Sequence, residues 1–353
     1  MKYIYTVFLL GICMRASSAQ DKQTNQAPGD KEMNAIIRVK EIGKIPFARD
    51  ATNFTFDLAF AADGSKIVAS ADKETLRAWE IATGKVFWSI DKKIGSVTDL
   101  VISPNGKSGF CMNSQRLVSI FDVDSGDVIS KIDIDFSFSK LAIHTDGKTL
   151  VVYNSGQLVF FTIPANGKPY RSKTEKWPFK GDFRSDGIVA ISPDLKQMAT
   201  RHATRPDSVN FWDIGKKAVI HQMPAKDESG SLMARFSPCG KYLVVFFGLQ
   251  GTRIWNVEKG TELKFLDYKD RVTNIAISAN SQWLATTSAR GKEKGGEIVI
   301  WDLKTGTKLH QLNHRAYCLA FSPKGNMLAA RCDDSIRIWT ISETEPKKAV
   351  PKE

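Results

Sequence analysis

The sequence has little of what usually marks an enzyme, a metal protein or a disulfide scaffold. Cysteine is scarce, at five residues in 353, too few for a disulfide framework. The five histidines, His144, His202, His221, His310 and His314, stand in separate settings without metal-type spacing. Glycine (25) and proline (13) are at ordinary levels, which excludes collagen-like and low-complexity chains. Past residue 19 no apolar run approaches the ~20 residues of a transmembrane helix. No G-x-S-x-G elbow, C-x-x-C-H haem site or paired-carboxylate pattern occurs. Gly106-Lys107-Ser108 and Gly147-Lys148-Thr149 imitate a phosphate loop, but Val101 and Ala142 stand where the cradle needs its earlier glycine. Asp122 to Asp127 imitates a calcium loop with its glycine one position early. These strings read as hairpin turns. No catalytic residue, metal ligand or cofactor is expected.

What is present begins with a leader. Lys2, the apolar run Tyr3 to Met14 and the small residues Ser17-Ser18-Ala19 have the layout of a secretory signal peptide over residues 1–19. The chain is therefore expected to be exported, to a periplasmic or extracellular (secreted) location. Cleavage after Ala19 removes Lys2 and Arg15, and the formal charge falls from +12 to +10. Cys13 is lost too, leaving Cys111, Cys239, Cys318 and Cys332. Cys318 and Cys332 flank the turn Pro323-Lys324-Gly325, and a bond between them or two buried free thiols are the alternatives. Residues 20–34 read as a polar linker and 343–353 as a polar tail. Asn53-Phe54-Thr55 is a glycosylation acceptor only in a eukaryotic secretory setting.

Between linker and tail the chain repeats itself. A segment of alternating apolar residues, an aromatic, and then Asp, Glu, Asn or Thr recurs seven times. Its aromatics are Trp79, Phe121, Phe161, Trp212, Trp255, Trp301 and Trp339, spaced 42, 40, 51, 43, 46 and 38 residues apart. Before each stands an apolar strand entering a tight turn, as in LVISPNGKSGF and ARFSPCGKYLVV. After most comes a second short turn, such as DSGD or KTGT. Turn residues of this kind between β-rich runs are hairpin signals. Each unit of about 40–45 residues is thus a four-stranded antiparallel meander, the length of a propeller blade.

These units resemble WD40 repeats over residues 35–342. Trp212-Asp213 and Trp301-Asp302 keep the signature dipeptide, and Trp79-Glu80, Phe121-Asp122 and Trp255-Asn256 are near variants. The Gly-His pair that opens a repeat of this family is missing from all seven units, with Asn313-His314 the nearest approach. The resemblance implies an all-β, seven-bladed β-propeller that docks protein partners and has no chemistry of its own. The missing histidines imply that the family's buried His–Asp–Ser–Trp network is absent. The last unit runs out of apolar sequence after Ile341, while Ala35 to Ile42 is strand-like with no unit of its own. That N-terminal strand is expected to complete the last blade and close the ring.

In such a meander the first–second and third–fourth turns share one face of the disc. Second–third loops and inter-blade connections share the other. The insertions fall in the second set: residues 171–187, 201–207 and 289–296. Loops on a rigid scaffold carry function more often than strands do. Candidate partner-binding residues on that face are Trp177, Phe179, Arg201, Arg205, Arg290, Lys292 and Lys294. Basic residues are otherwise scattered over both faces, without the concentrated stripe that nucleic acid requires. A protein partner, with weak affinity for anionic envelope polymers, fits better than nucleic acid. The alternative is a propeller enzyme or small-ligand sensor using the central channel, which would show carboxylates converging from first strands. First-strand segments such as LVIS, LAIH and IAIS offer no acidic side chain.

Overall fold

The computed structural model describes residues 36–46, 57–71, 75–91, 94–135, 140–154, 157–164, 169–176, 188–201, 208–224, 232–247, 251–266, 272–288 and 296–344. They form seven four-stranded antiparallel sheets arranged as a propeller, and no helix occurs among them. Blades 1 to 6 each take four consecutive strands. Blade 7 takes its last strand from the N-terminus: Ile36–Pro46 pairs antiparallel with Ser335–Thr344, from Ile36 opposite Thr344 to Pro46 opposite Ser335. The closure expected from the sequence is therefore formed. Both strands outrun their apolar stretches, to Pro46 at one end and Thr344 at the other. Outer positions need no apolar side chain.

The serine of each S-P-x-G-type turn shows why that turn repeats. Ser103, Ser192, Ser237, Ser278 and Ser322 each accept, through Oγ, the backbone N–H five residues on, at 2.9–3.1 Å. The residue after the marker aromatic has a parallel task. Asp122, Asp213, Asn256 and Asp302 each accept a backbone N–H of the following turn through Oδ1. Local side-chain acceptors of this kind hold tight turns. The signature Asp is thus a turn-former first.

The core is divided into seven apolar layers, one between each pair of neighbouring blades. All seven marker aromatics face the preceding blade: Trp79 packs with blade 7 around Ile336 and Ile338, and Trp255 with blade 4 around Val209 and Phe211. Because second and third strands are covered on both faces, they read as nearly unbroken apolar runs, such as TLVVY and YLVVFF.

Two of the marker indoles nonetheless keep a polar partner. In blades 4 and 6, the two that keep the Trp-Asp dipeptide, the indole still has a hydroxyl partner. Trp212 Nε1 donates to Thr200 Oγ1 at 2.8 Å and Trp301 Nε1 to Thr286 Oγ1 at 2.9 Å. His314, from the nearest approach to Gly-His, lies against Trp339, with ring centroids 5.8 Å apart.

Two readings change. Residues 171–176 lie in a strand, Tyr170–Lys176, that forms the outer edge of blade 3. Its polar sequence suits a solvent-facing strand, which is why it reads as a loop. Cys318 and Cys332 are free thiols. Cys318 stands opposite Arg331 and Cys332 opposite Ala316, and the two pack in different layers, towards blade 1 and blade 6 respectively. A bond between them would have to pass through the sheet.

Candidate functional site at the channel mouth

The first strand of each blade borders the axis. At one register its residues are Ala59, Val101, Ala142, Ala190, Arg235, Ala276 and Ala320, each paired with the equivalent second-strand residue, as Ala59 with Val68 and Arg235 with Val244. Five of these residues are alanine and one is valine. Arg235 is the exception, and it is exposed.

Two residues earlier in each first strand stand Asp57, Asp99, Lys140, Ile188, Met233, Asn274 and Cys318. First strands begin on the face of the inter-blade connections, so this register is the channel mouth on that face. Asp99 is buried; its Oδ2 accepts the Leu141 N–H of the next blade at 2.6 Å, and its Oδ1 lies 3.5 Å from Lys140 Nζ. Asp57 is half-buried, and its Oδ1 accepts the Leu58 N–H at 3.0 Å. Burial and the negative charge of Asp99 push the Asp57 carboxyl up to about 6, against the opposing pull of Arg235 and Lys140. Tyr153, opposite Lys140, is buried, and its phenol is pushed up by burial and by Asp99 while Arg235 opposes the shift. Blades 1, 2, 3 and 5 therefore act on one another across the axis. The Cys318 thiol of blade 7 joins them, raised by burial and by Asp57.

These acids went unseen because Asp57 stands just before the apolar run LAF and Asp99 is a single polar interruption in VTDLVI. The visible clue was the repeat itself: aligning seven first strands puts two acids, a lysine and an asparagine in one column. Of the residues expected to bind a partner, Arg201 ends the second strand of blade 4 and is half-buried. Trp177, Phe179, Arg205, Arg290, Lys292 and Lys294 lie outside the described residues. The strand ends that carry their loops, Lys176 and Ile188, Arg201 and Ser208, Ser288 and Glu297, are on the same face as the Asp57–Asp99 mouth.

Among the described residues no group of three His, Cys, Asp or Glu side chains can hold a metal ion, and no helix is long and apolar enough to cross a membrane. Burial pushes the Cys111 and Cys332 thiols up to about 12, so neither is a nucleophile at neutral pH.

Sequence comparison bears directly on blade 7. Residues 306–340 match the WD40 family, "WD domain, G-beta repeat". That WD40 repeat spans the turn at Gly306, the first two strands of blade 7 and Trp339. The chain is 24% identical over 314 residues to apoptotic protease-activating factor 1 of Rattus norvegicus, covering 85% of this chain and 23% of that protein. It is 26% identical over 219 residues to target of rapamycin complex subunit wat1 of Schizosaccharomyces pombe (strain 972 / ATCC 24843), covering 58% of this chain and 68% of that one. The chain thus spans about a quarter of the length of the first of these relatives. Among solved structures it superposes on the Cps50 (Swd1) β-propeller domain of Myceliophteria thermophila with a TM-score of 0.66 at 14% identity, over 86% of this chain and 100% of that one. The likeness is one of fold.

Proposed function

We propose that the protein is an exported, non-enzymatic WD40-like scaffold that docks a protein partner on the face holding the channel mouth. One observation carries this reading: topology gathers the strand ends at the inserted segments 171–187, 201–207 and 289–296 onto the face where Asp57, Asp99 and Lys140 stand. The opposite face holds short turns whose polar groups are already occupied, as at Ser103 and Asp302. Long insertions on a rigid ring are where binding concentrates. Trp177 and Phe179 supply the aromatic anchors, and Arg201, Arg205, Arg290, Lys292 and Lys294 the charged rim, as interfaces are commonly built. A relative named as a subunit of a complex is in keeping with docking. Export rests on the leader at residues 1–19. The basic surface adds weak affinity for anionic envelope polymers.

The test is affinity capture from an envelope fraction with the full chain and two variants. Trp177→Ala combined with Lys292→Ala and Lys294→Ala is expected to lose the captured partner. Lys107→Ala with Lys324→Ala, on the opposite face, is expected to keep it. The reverse pattern, or equal capture by both, defeats the proposal.

A further inference from the structure

The mouth carries charges that the fold does not match. Lys140 and Asp99 satisfy each other at 3.5 Å, and Asp99 is further held by the Leu141 N–H. That leaves Asp57 and Arg235. They act on each other from blades 1 and 5, yet no ion pair within 4.0 Å joins them or links either to another described side chain. Asn274 stands at the same register as Asp57 in blade 6 and is only 8% exposed. Its Oδ1 has no hydrogen-bond partner among the described residues. Leaving a buried acceptor unmet is costly, and the cost is recovered when a donor arrives.

Beyond the Leu58 N–H that Asp57 accepts, the groups left without an ion-pair or hydrogen-bond partner among the described residues are one carboxylate, one guanidinium and one amide oxygen, at the first strands of blades 1, 5 and 6. A simple cation satisfies only the acceptors, and a simple anion only Arg235. A ligand carrying both charges satisfies all three and brings no net charge into a partly desolvated site. We propose that the channel mouth binds a small zwitterion, a free amino acid or dipeptide, with its ammonium toward Asp57 and Asn274 and its carboxylate on Arg235. The site is separate from the docking reading: a ring that captures no protein partner would still hold the ligand.

Titration calorimetry of the full chain at pH 8 with glycine and with glycylglycine tests this. At least one is expected to bind saturably, and Asp57→Asn or Arg235→Gln is expected to weaken it about tenfold or more, the loss typical of one charge-assisted contact. Lys107→Ala, on the far face, leaves it unchanged. Acetate or methylammonium alone binds at least about tenfold more weakly. In the unsubstituted protein affinity falls as pH drops from 8 to 5, because Asp57, faced by Asp99, Arg235, Lys140 and Cys318, takes up a proton there. The proposal is overturned if neither probe binds, if both variants bind as well as the original, if acetate alone binds equally, or if affinity is flat over that pH range.

Discussion

Trp88, on the outer strand of blade 1, donates its indole Nε1 to the Val123 carbonyl of blade 2 at 2.9 Å, and its ring lies on Gly126. A Cβ on Gly126 would meet that ring at 2.8 Å, and the residue is at φ +79°. The same latch recurs where His221 of blade 4 covers Gly260 of blade 5. Neighbouring blades are thus joined at the rim as well as through their apolar layers. Gly126→Ala should cost about 2–4 kcal/mol, a left-handed backbone penalty plus overpacking against the indole. Gly240 is the control: it sits at φ +74°, and a methyl added there would meet nothing within 4 Å, so Gly240→Ala should cost only about 1 kcal/mol. Urea denaturation of both variants decides it, and equal losses would mean the rim latch adds nothing.

Blade 5 offers a gain. Its Trp255 Nε1 is buried without a hydrogen-bond partner among the described residues. The threonines that serve Trp212 and Trp301 stand two residues beyond the cross-strand partner of each indole, Met198 and Leu284. In blade 5 the cross-strand partner is Leu243, and the residue two beyond it is Val245. Val245→Thr, nearly the same shape, should place a hydroxyl at Trp255 and stabilise the protein by about 1 kcal/mol. The gain should vanish when Trp255 is already Phe. A loss of stability in both backgrounds would show that the hydroxyl does not reach the indole.

This pair also marks how far the sequence could be read. The aromatic register, the serine turns and the closing strand were legible because each is a local pattern with a fixed spacing. Thr200 and Thr286 were equally visible as letters, but their role depends on cross-strand register, which no spacing along the chain encodes. The outer strand Tyr170–Lys176 was hidden for a different reason: an edge exposed to water needs no apolar alternation. Asp57 escapes notice because it stands just before the first apolar residue of its strand, and Asp99 because it interrupts the run between Val97 and Leu100.

The N-terminal strand tests closure. Ile37 and Ile45 are buried in the layers on either side of blade 7, and Glu41 and Lys44 reach Arg337 and Asp334 at 2.9 and 2.8 Å. The ion pairs are exposed and worth less than about 1 kcal/mol each. Deleting residues 35–42 removes Ile37 and Glu41 and most of the pairing with the last strand, so it should act through lost burial and an opened edge, abolishing cooperative unfolding or solubility. Arg337→Ala should leave the melting transition nearly unchanged. A truncated chain that melts like the full one would refute closure by this strand.

Asp57 sets the last expectation, and its sign is fixed by the direction of its shift. Its carboxyl is raised from 3.8 to about 6, so the folded state binds the proton more tightly than the unfolded chain does. Stability from this group is complete below about pH 4 and is lost as pH rises through 6, by up to about 3 kcal/mol. Asp57→Asn keeps the shape and removes the titration. The variant should match the original near pH 4 and exceed it at pH 8 by up to that amount, with Arg235 and Lys140 limiting the gain because they lose an attractive neighbour. Urea denaturation at pH 4, 6 and 8 measures the difference. A variant less stable at pH 8 than the original would mean that those two cations outweigh burial and Asp99, and that Asp57 belongs to the fold as a bound anion.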